Sequence, residues 1–231
     1  MDKVKLINSP AFDVYEQMAA DELLVLNFAP CIRFFNWDKR PQATFGYVQK
    51  LEQAKAELES LGINHFTRRM TGGGLVLHKD DLTFSLVFDL KERVQPSIIY
   101  TALHSAINEE LSKAGFIASV YAGKSDYNPQ TEQGQVQNCF TNPVADDLMQ
   151  NGKKVLGGAL RRFHKRVLYQ GSLQIKNAEN QKTKQALIKG FLKYLGQTYT
   201  QEINLMQDFL DNTKKLAQTK YKNKEWLGKF L

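Results

Sequence analysis

Strand-like and helix-like segments are intermixed along this chain without a regular strand–helix–strand alternation. That irregularity limits the fold more than any single motif does, because it favours a mixed sheet flanked by helices over a doubly wound parallel one. Ser9-Pro10 followed by Phe12, Tyr15, Met18 and Ala19 predicts a helix with proline at its first position. Short strands are predicted over 32–36 and 43–47, and a helix over 52–61 closed by Gly62. Residues 66–69 and 75–78 read as strands on either side of Thr71-Gly72-Gly73-Gly74, and 83–89 as a mostly apolar strand. Pro96 opens a long helix that Gly115 ends, and 118–122 and 167–175 are further strands. Asn151-Gly152 between two strand-like runs predicts a hairpin. Residues 123–138 read as the longest loop. The expectation is a single α/β (α+β) domain over 1–231, with 177–231 a helical C-terminal segment.

No apolar run approaches the roughly 18 residues of a membrane span. The N-terminus lacks the apolar stretch of a signal peptide. Two cysteines, Cys31 and Cys139, make no disulfide framework, so reduced thiols in the cytoplasm are expected. His65, His78, His104 and His164 show no metal-ligand spacing, so no metal is expected.

The formal net charge is +7, which suggests an acidic partner. Residues 176–231 hold eleven lysines, no arginine and five acidic residues, hence +6 of that excess. Apolar residues at helical spacing there (Leu187, Phe191, Leu192 and Leu195, then Ile203, Met206, Phe209, Leu210 and Leu216) predict amphipathic helices rather than a basic arm. The arginines lie earlier, with pairs at Arg68-Arg69 and Arg161-Arg162. Arginine suits bidentate anion contact, so both pairs are candidate anion sites.

Three segments carry chemistry. In the stretch 68–78, three consecutive glycines leave backbone N–H groups bare to a ligand, with Arg69 beside them and His78 beyond. The Gly-Lys-Ser/Thr ending of a Walker loop is absent. A plain turn with solvated arginines fits the composition equally well. In Lys153-Lys154-Val155-Leu156-Gly157-Gly158-Ala159, a lysine beside small residues can reach a carbonyl or phosphate oxygen in a cleft; a solvated strand is the alternative. Cys139, after a polar stretch, is a candidate nucleophile if cations stabilise its thiolate, or else a small buried hydrophobe. Cys31 leads into an apolar strand and reads as buried.

Together these segments resemble the lipoate branch of the biotin/lipoate ligase and octanoyltransferase superfamily. The stretch 68–78 followed by Asp81-Leu82-Thr83-Phe84-Ser85 is similar to its arginine–glycine motif. Phe34-Phe35-Asn36-Trp37 with Thr44-Phe45-Gly46-Tyr47-Val48-Gln49 is similar to its N-terminal segment, and Lys154-Val155-Leu156-Gly157-Gly158-Ala159 to its lysine motif. Residues 220–226 are loosely similar to a closing segment of the octanoyltransferases. The resemblance implies a mixed sheet forming an acyl-binding cleft, and attachment of an octanoyl or lipoyl group to a lysine of an acceptor lipoyl domain. Cys139 sits where cysteine-type octanoyltransferases carry their acyl-bearing cysteine.

Such a transferase needs no cofactor and takes its chain from acyl carrier protein. The alternative, an ATP-dependent ligase of the lipoate-protein ligase A type, needs ATP and Mg and forms an acyl-adenylate. The resemblance assigns catalysis to Cys139 and Lys154, and substrate binding to Arg69, Gly72, Gly73, Gly74, His78, Gly157, Gly158 and Ala159. It implies a cytoplasmic monomer that binds neither nucleic acid nor membrane. Outside the family, a non-catalytic basic binding module is the competing class. Two positions depart from the pattern. Gly157-Gly158-Ala159 replaces Gly-Ser-Ala, and Gln170 stands where a histidine often precedes Gly-Ser.

Overall fold

The computed structural model describes residues 3–79, 81–90, 92–123 and 143–230. The chain order is β1 (Val4–Asn8), α1 (Val14–Asn27), β2 (Cys31–Phe34), β3 (Gln42–Phe45), α2 (Leu51–Ser60), β4 (His65–Arg68), β5 (Val76–His78), β6 (Leu82–Asp89) and α3 (Pro96–Lys113). Then come β7 (Ser119–Val120), β8 (Leu148–Gln150), β9 (Lys153–Phe163), β10 (Arg166–Leu173), α4 (Gln181–Leu195), β11 (Thr200–Asn204) and α5 (Gln207–Leu216). A π-helical turn, Ala217–Tyr221, and α6 (Lys224–Leu227) follow.

Two sheets form. The larger runs β11-β1-β2-β6-β10-β9-β8-β7 and the smaller β4-β3-β5. In the large sheet β11, β1 and β2 are parallel, and every pairing from β2 onward is antiparallel. This is the mixed sheet that the sequence implies. The β8–β9 hairpin turns on Asn151 (φ 51°) and Gly152 (φ 73°), the two positive angles that a two-residue primed turn requires.

Two local expectations are corrected. The first helix is capped by Asp13, which accepts from the Tyr15 and Glu16 backbone N–H groups while Glu16 reaches back, so Ser9-Pro10 lies outside it. Ile203 lies in strand β11 rather than in a helix, so the C-terminal segment is not wholly helical.

The large sheet has two differently packed faces. Helices α3 and α4 cover one, with Leu103, Ile107, Leu187 and Phe191 against Phe84, Leu86 and Tyr169. Helix α1, α5 and the π-turn cover the other, with Met18, Leu24 and Tyr221 against Val87 and Leu168. The small sheet packs on α2 through Ala43, Phe45, Ala54 and Leu58. Cys31 is buried as expected, and burial pushes its thiol up to about 12, which leaves it inert.

His104 of α3 is fully buried. Its Nδ1–H donates to the Asp146 carbonyl at 2.6 Å, so Nε2 accepts from the Tyr169 hydroxyl at 2.6 Å. Burial pushes its pKa below the ordinary value. The unfolded chain then binds more protons than the native one as pH falls below the free histidine value of about 6.5. Stability is therefore expected to drop on acidification from there, by up to about 1.4 kcal/mol per pH unit. Urea unfolding at several pH values checks this, and His104→Asn should remove most of that dependence. An equal dependence in the variant would count against it.

Candidate active site

The site begins at the crossing of two loops. One follows β3 (46–49) and the other joins β4 to β5 (69–75). Tyr47 N–H donates to the Thr71 carbonyl at 2.8 Å, and Arg69 N–H to the Phe45 carbonyl at 2.9 Å. A Cβ at Gly46 would lie 1.7 Å from the Gly73 carbonyl oxygen, so only glycine allows the loops to meet. Gly73 itself has φ +89°.

The arginine pair divides between two tasks. Adjacent residues at a strand end point to opposite sides. Arg69 turns into the site, donating to the Gly72 carbonyl (Nε, 3.1 Å) and the Thr44 carbonyl (3.2 Å), and thereby fixes the glycine loop. Arg68 is completely buried and donates to the carbonyls of Tyr47 (2.6 Å), Gln49 (2.7 Å), Trp226 (3.0 Å) and Leu227 (2.5 Å). It ties the C-terminal segment to the loop rather than binding an anion, which corrects the reading of the pair. The second pair splits likewise. Arg161 donates to the Met70 carbonyl (3.1 Å) over the Tyr47 ring, while Arg162 donates to the Val94 carbonyl.

Strand β9 brings the lysine motif beside this loop. Lys154 Nζ lies 2.8 Å from Asp147 Oδ2, with the two side chains 6% and 2% exposed. Glycine at 157 makes the pair possible, since a Cβ there would sit 2.2 Å from Lys154 Cε and 2.5 Å from Nζ. The Gly158 departure also has a cause. A Cβ at 158 would lie 2.2 Å from the Tyr169 hydroxyl, so that hydroxyl occupies the space a serine would need.

His78 stacks on Trp37, with centroids 4.3 Å apart. Its Nδ1 lies 3.2 Å from Asp81 Oδ2 and its Nε2 3.0 Å from Thr44 Oγ1. The same Asp81 oxygen accepts from Thr83 and Ser172 hydroxyls, each at 2.6 Å. Burial pushes the Asp81 carboxyl up, but the His78 charge and these hydrogen bonds outweigh it and hold the pKa below the ordinary value.

A further layer lies behind the site. Asp21 of α1 accepts from Arg33 (Nη2 at 2.6 Å, Nε at 3.0 Å), from the Ser85 hydroxyl (2.8 Å) and from the Gln170 amide (2.7 Å). Gln170 in turn accepts from the Thr71 hydroxyl at 2.7 Å, so it braces the start of the glycine loop. This is what replaces the histidine missing at 170. The sequence reading missed Asp21, Arg33, Asp81 and Asp147 as supports of the site.

These elements line a cleft whose empty volume, open mouth included, is about 530 Å³. Of the predicted residues, Arg69, Gly73, His78, Lys154, Gly157, Gly158 and Ala159 line it. Gly72 and Gly74 flank Gly73 and are not among the lining residues. Met18, Phe35, Thr44, Val76, Thr83, Gln170, Gly171 and Ser172 complete the wall. Arg69 and Lys154 are its cations, and no carboxylate side chain lines it among the described residues. Met18, Phe35 and Val76 give it an apolar part suited to a hydrocarbon chain. Cys139 lies outside the described residues. Among those described, no group of His, Cys, Asp and Glu could hold a metal ion, and no helix is long and apolar enough to cross a membrane.

A mixed sheet with a glycine loop and a lysine strand on one cleft defines the lipoate/biotin ligase-like catalytic fold. Protein Ta0514 of T. acidophilum, solved with bound lipoic acid, superposes with a TM-score of 0.77 at 21% identity over 100% of both chains. A lipoate-protein ligase A bound with ATP gives 0.76 at 21% identity, again over 100% of both. Residues 13–219 match the lipoyl protein ligase A/B catalytic domain, and the chain belongs to that family. Among curated relatives, octanoyltransferase LipM of Oceanobacillus iheyensis is 30% identical over 177 residues, covering 74% of this chain and 63% of the relative. Octanoyltransferase LipM of Carboxydothermus hydrogenoformans is 31% identical over 189 residues, covering 76% and 66%. The chain thus matches slightly less than two thirds of the length of these relatives.

Proposed function

We propose that the protein transfers an octanoyl or lipoyl group to a lysine of an acceptor lipoyl-domain protein, with Cys139 carrying the acyl group between donor and acceptor. The observation that carries this reading is the cleft itself. A buried ammonium, Lys154, stands over the bare backbone of Gly157 beside an apolar pocket. Resemblance to the octanoyltransferases supplies the acyl chain and the cysteine.

In the first step the Cys139 thiolate attacks the carbonyl of an acyl thioester. The C–S bond to the donor breaks, and the donor leaves as its thiol after taking a proton. Lys154 donates a hydrogen bond to the carbonyl oxygen as negative charge develops there. In the second step the acceptor amine attacks acyl-Cys139, an amide forms, and Cys139 is released. His78, backed by Asp81, receives the amine proton in this scheme. No cofactor is required. The donor is acyl carrier protein, and the enzyme acts as a cytoplasmic monomer.

Lysines of the C-terminal segment would meet acidic partners. Lys214 and Lys215 are exposed, whereas Lys220 is paired with Glu22 at 2.7 Å and belongs to the fold. That narrows the basic surface expected from the sequence.

The test is intact mass after mixing with octanoyl-acyl carrier protein, followed by addition of an acceptor lipoyl domain. An octanoyl adduct that forms without ATP, vanishes in Cys139→Ser and passes to the acceptor is expected. Transfer that strictly requires ATP and free lipoate would establish the ligase instead. Salt-dependent oligonucleotide binding without any transfer would establish a binding module.

A further inference from the structure

We propose that Lys154 is itself a latent acceptor of the acyl group, and that Asp147 prevents its modification. This rests on the acyl-transfer reading above. A protein that acylates lysines here keeps a lysine of its own in the acyl cleft. A side chain that donates a hydrogen bond to the acyl carbonyl oxygen stands within reach of the carbonyl carbon. It is present at every turnover, with the advantage of an intramolecular nucleophile. The substrate amine has to arrive by diffusion. The protection of Lys154 is then chemical.

An ammonium has no lone pair and cannot attack. Burial alone disfavours the charged form, and a close carboxylate favours it. Asp147, 2.8 Å from Nζ and more buried than the lysine, provides that carboxylate. The carboxylate is held from its own side. The Val144 N–H donates to the same oxygen at 2.7 Å. Asp146 has φ 73°, and its carbonyl accepts from His104 at 2.6 Å. The Tyr121 N–H donates to the Asp147 carbonyl at 2.8 Å. The acid therefore cannot swing away from the lysine without breaking the turn. Gly157 keeps the pair together, because a methyl there would fall on Lys154 and within 3.2 Å of Asp147 Oδ1.

The suppressed reaction is aminolysis. The neutral Lys154 nitrogen attacks the thioester carbonyl, the N–C bond forms and the C–S bond breaks. The thiol departs with the proton that the amine sheds. The product is an amide, which thiol exchange cannot reverse, so each event removes one enzyme molecule and its Lys154.

The experiment uses the full chain and its isosteric variant Asp147→Asn, each incubated with octanoyl-acyl carrier protein. Hydroxylamine then strips thioesters, and peptide mass mapping reads what remains. A hydroxylamine-resistant octanoyl group on Lys154, accumulating about tenfold or more faster than in wild type, is expected. A folded variant that still takes up octanoyl as a thioester but carries none on Lys154 would overturn the proposal and leave the acyl-transfer reading standing. Wild type that takes up no acyl group and passes none to an acceptor would overturn both. Where Asp147→Asn does not fold, Asp147→Ser, which also removes the carboxylate and leaves Gly157 intact, decides by the same readout.

Discussion

Replacing Asp21 by leucine is expected to destabilise the protein by about 3–5 kcal/mol, the usual result of leaving a buried charge without its partner. Arg33 and Asp21 are both fully buried and 2.6 Å apart. Without the carboxylate, the guanidinium keeps hydrogen bonds to Gln17 (Oε1 at 2.6 Å, carbonyl at 2.9 Å) and the Phe35 ring 3.9 Å away. None of these neutralises its charge. The Ser85 hydroxyl and the Gln170 amide lose their acceptor at the same time. Pairing Asp21→Leu with Arg33→Met should recover much of the loss, because an apolar pair of similar volume avoids the desolvation of two ions. Urea unfolding of both variants checks this. A single variant within about 1 kcal/mol of wild type would mean that the pair is not the anchor it looks like. The effect reaches function through Gln170, whose other partner is Thr71 at the head of the glycine loop.

Local signals were legible in the sequence where backbone chemistry is local. Asn151-Gly152, Gly62 and Gly115 each mark a place that needs positive φ, and each has it. The glycine loop and the lysine strand were legible for the same reason, since bare backbone beside a cation is a short-range pattern. Strand β11 was not. Ile203, Met206, Phe209 and Leu210 fit helical spacing, and only pairing with β1, about 200 residues earlier, makes 200–204 a strand. The supports of the site were hidden by the same distance. Asp21 meets Gln170 across 149 residues and Arg68 meets Leu227 across 159. Neither pairing leaves a local trace. The two arginine pairs looked uniform because composition cannot show that strand neighbours face opposite ways. The capping box at Asp13 and Glu16 was readable, but Ser9-Pro10 offered an earlier start that nothing local excludes.

Replacing Lys154 by methionine is expected to slow acyl transfer by about 10²–10³-fold, the usual cost of removing one oxyanion donor. Methionine keeps an unbranched side chain that reaches the Cε position over Gly157 but carries no proton to donate. It also leaves Asp147 buried beside an apolar group, so melting temperature falls as well. A loss of rate in the single variant could therefore reflect lost structure. The double variant Lys154→Met with Asp147→Asn separates the two effects. Removing both charges should restore most of the melting temperature while transfer stays slow. Lys154→Arg sharpens the test, because it keeps the charge. Its planar head is larger than an ammonium, and Nζ already lies 2.5 Å from where a Cβ at 157 would sit. Arginine should then be slow in spite of its charge. Single-turnover rates of acyl-enzyme formation are the measurement. A double variant with restored melting and near-wild-type rate would remove Lys154 from the chemistry and leave it a partner of Asp147 alone. Restored melting with a persistent loss would place the ammonium at the developing oxyanion.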